Sequence, residues 1–154
     1  MEKIKLNEIK KELGNRSPNE LIELCLKLSK FKRDNKEFLT YLLFEQDSEA
    51  GYVEKVKEEI DEAFTEVSKS SFYLTKKGIR KALKLTQKHI KYSGIKTTEI
   101  ELLAYFLSHF DTIAKSFPRS SVLENMRETQ IKRITKALNN IHPDLQHDYL
   151  HLIQ

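Results

Sequence analysis

The C-terminal end of the sequence carries side chains that could bind a metal ion together. Histidine and aspartate recur there at helical spacing, as Asp144, His147, Asp148 and His151. In a helix, imidazoles at positions i and i+4 lie on one face and can share a metal ion, and carboxylates are suitable further ligands. The pattern indicates a candidate metal site. A metal-dependent hydrolase is therefore one function left open, although it would need further groups that the sequence does not identify.

A charge reversal in the middle of the chain is its strongest compositional feature. Residues 47–66 contain eight acids and two bases, whereas residues 67–98 contain nine bases and no acid. At 100° per residue, most of these bases fall on one side of a single helix, opposite its apolar residues. This basic face consists of Lys76, Lys77, Arg80, Lys81, Lys84, Lys88 and Lys91. It is the best candidate for a surface that binds a partner or phosphate groups.

The basic face has two interpretations. A helix needs a solvated side, and lysines in loose ion pairs with neighbouring acids, worth about 0.2–1 kcal/mol each, would provide one. Alternatively, the bases form a strip of positive potential that binds nucleic acid and releases its counterions. Tyr73 and Tyr92 flank the strip and could stack on unpaired bases. The sequence leaves both interpretations open.

Composition is typical of a globular chain in contact with water. The chain has 154 residues, 39% of them hydrophobic and 32% charged, with a formal net charge of +4. We expect one helical domain over residues 1–154. No segment approaches the 18 or so apolar residues of a membrane span, and the first residues lack the apolar core of a signal peptide. We therefore expect no membrane association and a cytoplasmic location.

Glycine and proline separate segments whose apolar residues recur at spacings of three and four, which predicts helices. The expected helices are 3–13, 18–31, 35–46, 51–68, 72–93, 98–116, 121–141 and 143–152. Short connections make successive helices antiparallel. The predicted fold class is all-α, with antiparallel helical hairpins stacked as a short α-α superhelix and a closed helical bundle as the alternative. The apolar residues of the fifth helix occupy two faces, which favours the stack.

Several residues are expected to end or begin these helices. Gly14 is predicted to end the first helix in a left-handed conformation. Capping boxes are predicted to begin at Ser17, Asp34, Thr98 and Ser121, each followed three residues later by glutamate. Cys25, the only cysteine, excludes an internal disulfide and falls on an apolar stripe, so we expect it in the core.

Two segments carry a resemblance to known proteins. SPNELIELCLKLSKFKRDNKEFLTYLLFEQD, with KKGIRKALKLTQKHIKYSG further on, resembles small all-helical bacterial proteins that are uncharacterised. The resemblance extends over about the first two thirds of the chain. It implies a helical fold and supplies no catalytic or binding residue.

These patterns favour a binding protein over an enzyme. No serine or cysteine is placed with a histidine and an orienting carboxylate, as nucleophilic catalysis would require. We expect His89 and His109 to be core or boundary residues whose ring nitrogens have hydrogen-bonding partners. The leading hypothesis is a non-enzymatic helical scaffold that binds a protein or peptide partner without a cofactor. The alternative is nucleic-acid binding through the basic face at residues 76–91. The oligomeric state is left open.

Overall fold

The computed structural model describes residues 3–153, whose regular secondary structure is all helical, with no strand in that range. The eight α-helices are α1 (Leu6–Gly14), α2 (Pro18–Phe31), α3 (Arg33–Thr40), α4 (Glu49–Thr65), α5 (Phe72–Ser93), α6 (Lys96–Ala114), α7 (Ser121–Leu138) and α8 (Pro143–Tyr149). A π-helical turn (Tyr41–Glu45) and a 3₁₀ turn (Gln46–Ser48) precede α4, and a 3₁₀ turn (Leu150–Ile153) follows α8. The predicted all-α class is confirmed.

The chain divides into two compact units, Met1–Phe44 and Glu45–Gln154. In the first unit, α2 and α3 pack as a hairpin, and the side-chain amide of Asn35 donates a hydrogen bond to the carbonyl of Leu28 at 2.8 Å. No side chain of α1, α2 or α3 is fully buried. The expectation of one domain over the whole chain stays a prediction.

The second unit contains two antiparallel hairpins. Tyr52, near the start of α4, contacts His89, near the end of α5. Asp111, near the end of α6, forms an ion pair with Arg127, early in α7. In both pairs of helices the end of one lies beside the beginning of the other. The predicted antiparallel hairpins are therefore present in this unit.

Helices α4 and α6, the first members of the two hairpins, run parallel and in contact. At their starts, the hydroxyl of Thr98 donates to the Glu49 carboxylate at 2.6 Å. Further along, the hydroxyl of Tyr105 donates to Asp61 at 2.8 Å. Parallel contact between first members is what the stacking of successive hairpins produces.

The prediction that α5 buries two faces is wrong. The helix that does so is α6. The buried residues of α6 spread over about 200° of its circumference at 100° per residue; they are Thr98, Ile100, Leu102, Leu103, Phe106, Leu107, Phe110 and Ile113. The buried residues of α5 cover only about 100°; they are Thr75, Ile79, Ala82, Thr86, His89 and Ile90. Helices α4, α5 and α7 all contact α6, which explains its wider burial.

The helix ends confirm one predicted capping box and correct three. Ser17 accepts a hydrogen bond from the Glu20 amide and donates its own amide to the Glu20 carboxylate. The boxes predicted at Asp34, Thr98 and Ser121 are wrong, because α3 begins at Arg33, α6 at Lys96 and α7 at Ser121 itself.

The left-handed helix end also lies elsewhere than predicted. Gly14 is the last residue of α1 and is not left-handed. Gly94, with a φ of 67°, is left-handed and ends α5, where its amide bonds to the carbonyl of Ile90. A side chain is strained at this φ, so glycine suits the short connection to α6.

The segment between α4 and α5 passes very close to α5 at Gly78. A Cβ added to Gly78 would lie 3.0 Å from the Cγ2 of Val67 and 3.3 Å from its Cα. The Thr75 hydroxyl donates to the carbonyls of Ser68 and Ser71, which ties this segment to the first turn of α5. The backbone at Val67 therefore has little freedom to move away.

We predict that Gly78→Ala lowers the free energy of unfolding, although alanine favours helices. Overpacking costs about 1–3 kcal/mol, and the gain in helix propensity is at most about 1 kcal/mol. Val67→Ala removes the methyl groups that the added Cβ would contact. The double variant should therefore lose less free energy of unfolding than the sum of the losses in the two single variants. Urea denaturation of the unmodified chain, the two single variants and the double variant measures this, and strictly additive losses would contradict the close contact.

Candidate functional site

Four of the seven predicted basic residues line one groove on the outer side of α5. Lys77, Arg80, Lys81 and Lys84 surround an open groove of about 670 Å³. The other lining residues are Glu66, Ser68, Leu74, Gly78, Leu83 and Gln87. Because α5 buries a single stripe of about 100°, its opposite side faces solvent. We call this site the α5 groove.

The other predicted basic residues lie outside the α5 groove. Lys76 is half-buried, and its ammonium lies 5.2 Å from the centre of the Phe72 ring, a cation–π distance. Lys88 is half-buried as well, and Lys91 is exposed one turn further along the helix. The structure therefore does not present all seven bases as one equivalent surface.

The two flanking tyrosines differ in their availability. Tyr92 is half-buried and packs edge-on against His89, with ring centroids 5.8 Å apart. Tyr73 is 67% exposed. Neither tyrosine lines the α5 groove, so the groove contains no aromatic side chain on which a base could stack.

The charge of the α5 groove is barely compensated. Lys81 lies 3.6 Å from Glu66, but both side chains are largely exposed, and a pair of this kind contributes about 0–1 kcal/mol. Within residues 3–153, Lys77, Arg80 and Lys84 form no ion pair with a carboxylate. The groove is therefore a concentration of positive charge open to solvent.

The C-terminal histidines and aspartates are brought together less than predicted. Helix α8 ends at Tyr149 and a 3₁₀ turn follows, so His147 and His151 are not on one continuous α-helix. Both are exposed, as are Asp144 and Asp148. In the described part of the chain, no group of three or more His, Cys, Asp or Glu residues could hold a metal ion.

A second groove, between α2 and α3, was not identified from the sequence. It measures about 250 Å³ and is mainly apolar; its lining residues are Cys25, Leu28, Ser29, Asn35, Phe38, Leu39 and Leu42. Cys25 is exposed, so the prediction that it lies in the core is wrong. Apolar residues recur at spacings of three and four whether their face is covered or open. No sequence signal therefore distinguishes this α2–α3 groove from a buried face.

Large apolar side chains are exposed along the whole first unit. They are Ile4, Leu6, Ile9, Leu13, Ile22, Leu24, Leu26, Leu28, Phe31, Phe38, Leu42, Leu43 and Phe44. On α1, three of them lie within about 60° of one another, and they form one apolar face. The first unit thus presents extensive apolar surface to solvent.

His89 and His109 both have hydrogen-bonding partners, as predicted. The buried His89 ring lies between the hydroxyl of Tyr52, at 2.7 Å from Nδ1, and the carboxylate of Glu59, at 3.0 Å from Nε2. His109 is half-buried, and its Nε2 lies 2.8 Å from Asp61. These contacts join α5 to α4 and α6 to α4.

A line of polar contacts between α4 and α6 shifts two pKa values upwards. Burial alone would lower the pKa of Lys57, but the hydrogen bonds that its ammonium donates to Glu101 and Glu54 outweigh burial and raise it. The hydrogen bond from Tyr105 to Asp61, followed by burial, raises the pKa of the tyrosine. Both groups therefore hold their protons more tightly in the folded chain than in the unfolded one.

The raised pKa values predict a loss of stability at alkaline pH. The stabilisation is fully present below the ordinary pKa values of 10.0 for tyrosine and 10.5 for lysine, and it is lost as the pH rises through the folded-state values. Denaturation between pH 8 and 12 should therefore show a decline that begins near pH 10. The double variant Lys57→Met/Tyr105→Phe should decline less steeply, and an unchanged decline would contradict this assignment.

No helix in the described residues is long and apolar enough to cross a membrane. Comparison with known proteins gives no match to a family model, to a curated protein or to a solved structure.

Proposed function

We propose that this chain is a non-enzymatic helical scaffold that binds a helical segment of a partner protein in the α2–α3 groove. The observation that carries the proposal is the apolar surface of the first unit, in which thirteen large apolar side chains are exposed and α1–α3 bury none. Short helices in water are marginally stable unless tertiary contacts cover an apolar face. A partner would supply those contacts.

The extent of this surface supports a protein partner. Each of the thirteen side chains is at least 37% exposed. Exposed apolar side chains in such number are unusual on a monomer and are typical of surfaces that bind another protein.

The shape of the α2–α3 groove supports a helical segment. Its volume of about 250 Å³ is below the roughly 300–1,000 Å³ of pockets that enclose small molecules. It is bounded by two helices and lined mainly by apolar side chains. Amphipathic helices bind such grooves by inserting one or two large apolar side chains spaced three or four residues apart.

The charge of the segment that joins α2 to α3 supports an acidic partner. Residues 27–36 connect and flank its two walls and carry five bases against one acid, Asp34; the bases are Lys27, Lys30, Lys32, Arg33 and Lys36. One of them, Arg33, is paired with Glu37. A partner helix that carries glutamates as well as an apolar face would therefore match the apolar lining of the groove and be attracted to the basic segment that joins α2 to α3.

The proposal is tested with a fluorescent 18-residue amphipathic peptide that has leucine on one face and glutamate on the other. The matched control peptide has lysine in place of glutamate. We expect the acidic peptide to bind more tightly, as measured by fluorescence anisotropy. Leu28→Ser should weaken binding by about tenfold, since it removes an apolar contact worth about 1.5 kcal/mol. Leu145→Ser, which changes an exposed leucine of α8, should leave binding unchanged.

Three outcomes would overturn the proposal. Equal affinity for the two peptides, or binding of neither, would remove the acidic helix as the occupant. An effect of Leu145→Ser as large as that of Leu28→Ser would remove the groove as the site. A dimer that sedimentation detects without peptide, and that Leu28→Ser dissociates, would assign the groove to a second copy of the chain.

A further inference from the structure

The cations of the α5 groove are spaced regularly along one helix. Lys77, Lys81 and Lys84 stand at positions i, i+4 and i+7, with Arg80 beside them. At 1.5 Å per residue, this set covers about 10 Å of the helix axis, and Lys91 extends it to about 21 Å. The cations therefore form a straight row and not a cluster around one point.

This row of cations costs stability when nothing is bound to it. Like charges at i and i+4 on a helix destabilise it by about 0.2–0.5 kcal/mol for each pair. Residues 67–98 contain no acid, and the weak pair with Glu66 reaches only Lys81. A ligand that carries a row of negative charges would remove this repulsion. The arrangement therefore favours a polyanion over a single small anion.

The side chains that line the α5 groove indicate which polyanion fits. Three of the four cations are lysines, which attract phosphates as point charges, whereas two-pronged recognition of base edges is more typical of arginine. Proteins that hold single strands combine a cationic groove with aromatic side chains for base stacking. No aromatic residue lines this groove. These features favour a duplex contacted through its phosphates.

We propose that the α5 groove binds the phosphate backbone of double-stranded nucleic acid without reading its base sequence. Lys77, Arg80, Lys81 and Lys84 contact successive phosphates, and Lys91 extends the contact along the helix. The groove lies within the second unit and shares no lining residue with the α2–α3 groove. The proposal is thus independent of the protein-binding function.

Salt dependence of binding is the primary test. Two fluorescent 20-base-pair duplexes of unrelated sequence are titrated with the full chain at 50 and 200 mM salt. If four or five phosphates are contacted, affinity should fall about 150- to 500-fold over this range, since each contact contributes about 0.9 to the logarithmic slope. Both duplexes should bind with the same affinity.

Charge-matched variants locate the site. Lys77→Gln/Lys84→Gln should weaken binding at 50 mM salt and reduce the logarithmic slope by about two. Lys132→Gln/Lys136→Gln removes two exposed lysines of α7 and leaves the same net charge. This control should retain the slope of the unmodified chain. Circular dichroism of both variants checks that the helices are intact.

Several results would overturn the proposal. Absence of duplex binding at 50 mM salt would remove it. Equal losses of duplex affinity in the two double variants would show that binding depends on net charge and not on the α5 groove. Tighter binding of a single strand than of a duplex removes the assignment to double strands. Binding to vesicles of anionic lipid, with none to duplex, assigns the groove to a membrane surface.

Discussion

The packing of the second unit depends on one requirement, which is that neighbouring helices cover α6 from two sides. Its buried residues extend over about half of the circumference, so no single neighbouring helix can remove them all from water. The antiparallel partner α7 covers one side, and the hairpin of α4 and α5 covers the other. Fully buried side chains such as Phe106 and Leu103 lie within this arrangement. Apolar burial around one central helix is therefore the constraint that brings the two hairpins together.

Polar contacts then determine which side of α5 faces solvent. The hydrogen bonds between α4 and α6 fix their relative position along the axis, and His89 fixes α5 against α4. With its narrow buried stripe held inward, α5 presents the opposite side outward, where Lys77 and Lys84 lie. The position of the α5 groove is thus a consequence of packing on the other side of the same helix.

The sequence predicted the helices well because their ends coincide with breaks in apolar spacing and with the few glycines and prolines. It misplaced three capping boxes, since Thr98, for example, bonds to Glu49, a residue distant in sequence. It assigned two covered faces to α5 and not to α6, because an apolar stripe does not show how many neighbours cover it. For the same reason it placed Cys25 in a core. The sequence identified the basic residues. It could not show that four of them line one groove, because the groove exists only where the segment before α5 lies close to Gly78.

The two units differ in where their stabilisation comes from, and this bears on the proposed binding of a partner by the first unit. The second unit has its own core, whereas α1, α2 and α3 contain no fully buried side chain. Opening of these short helices therefore requires little free energy compared with opening the core of the second unit. In the proposed complex, part of the binding energy would be spent on ordering these helices, so the complex would dissociate more readily than the interface area alone suggests.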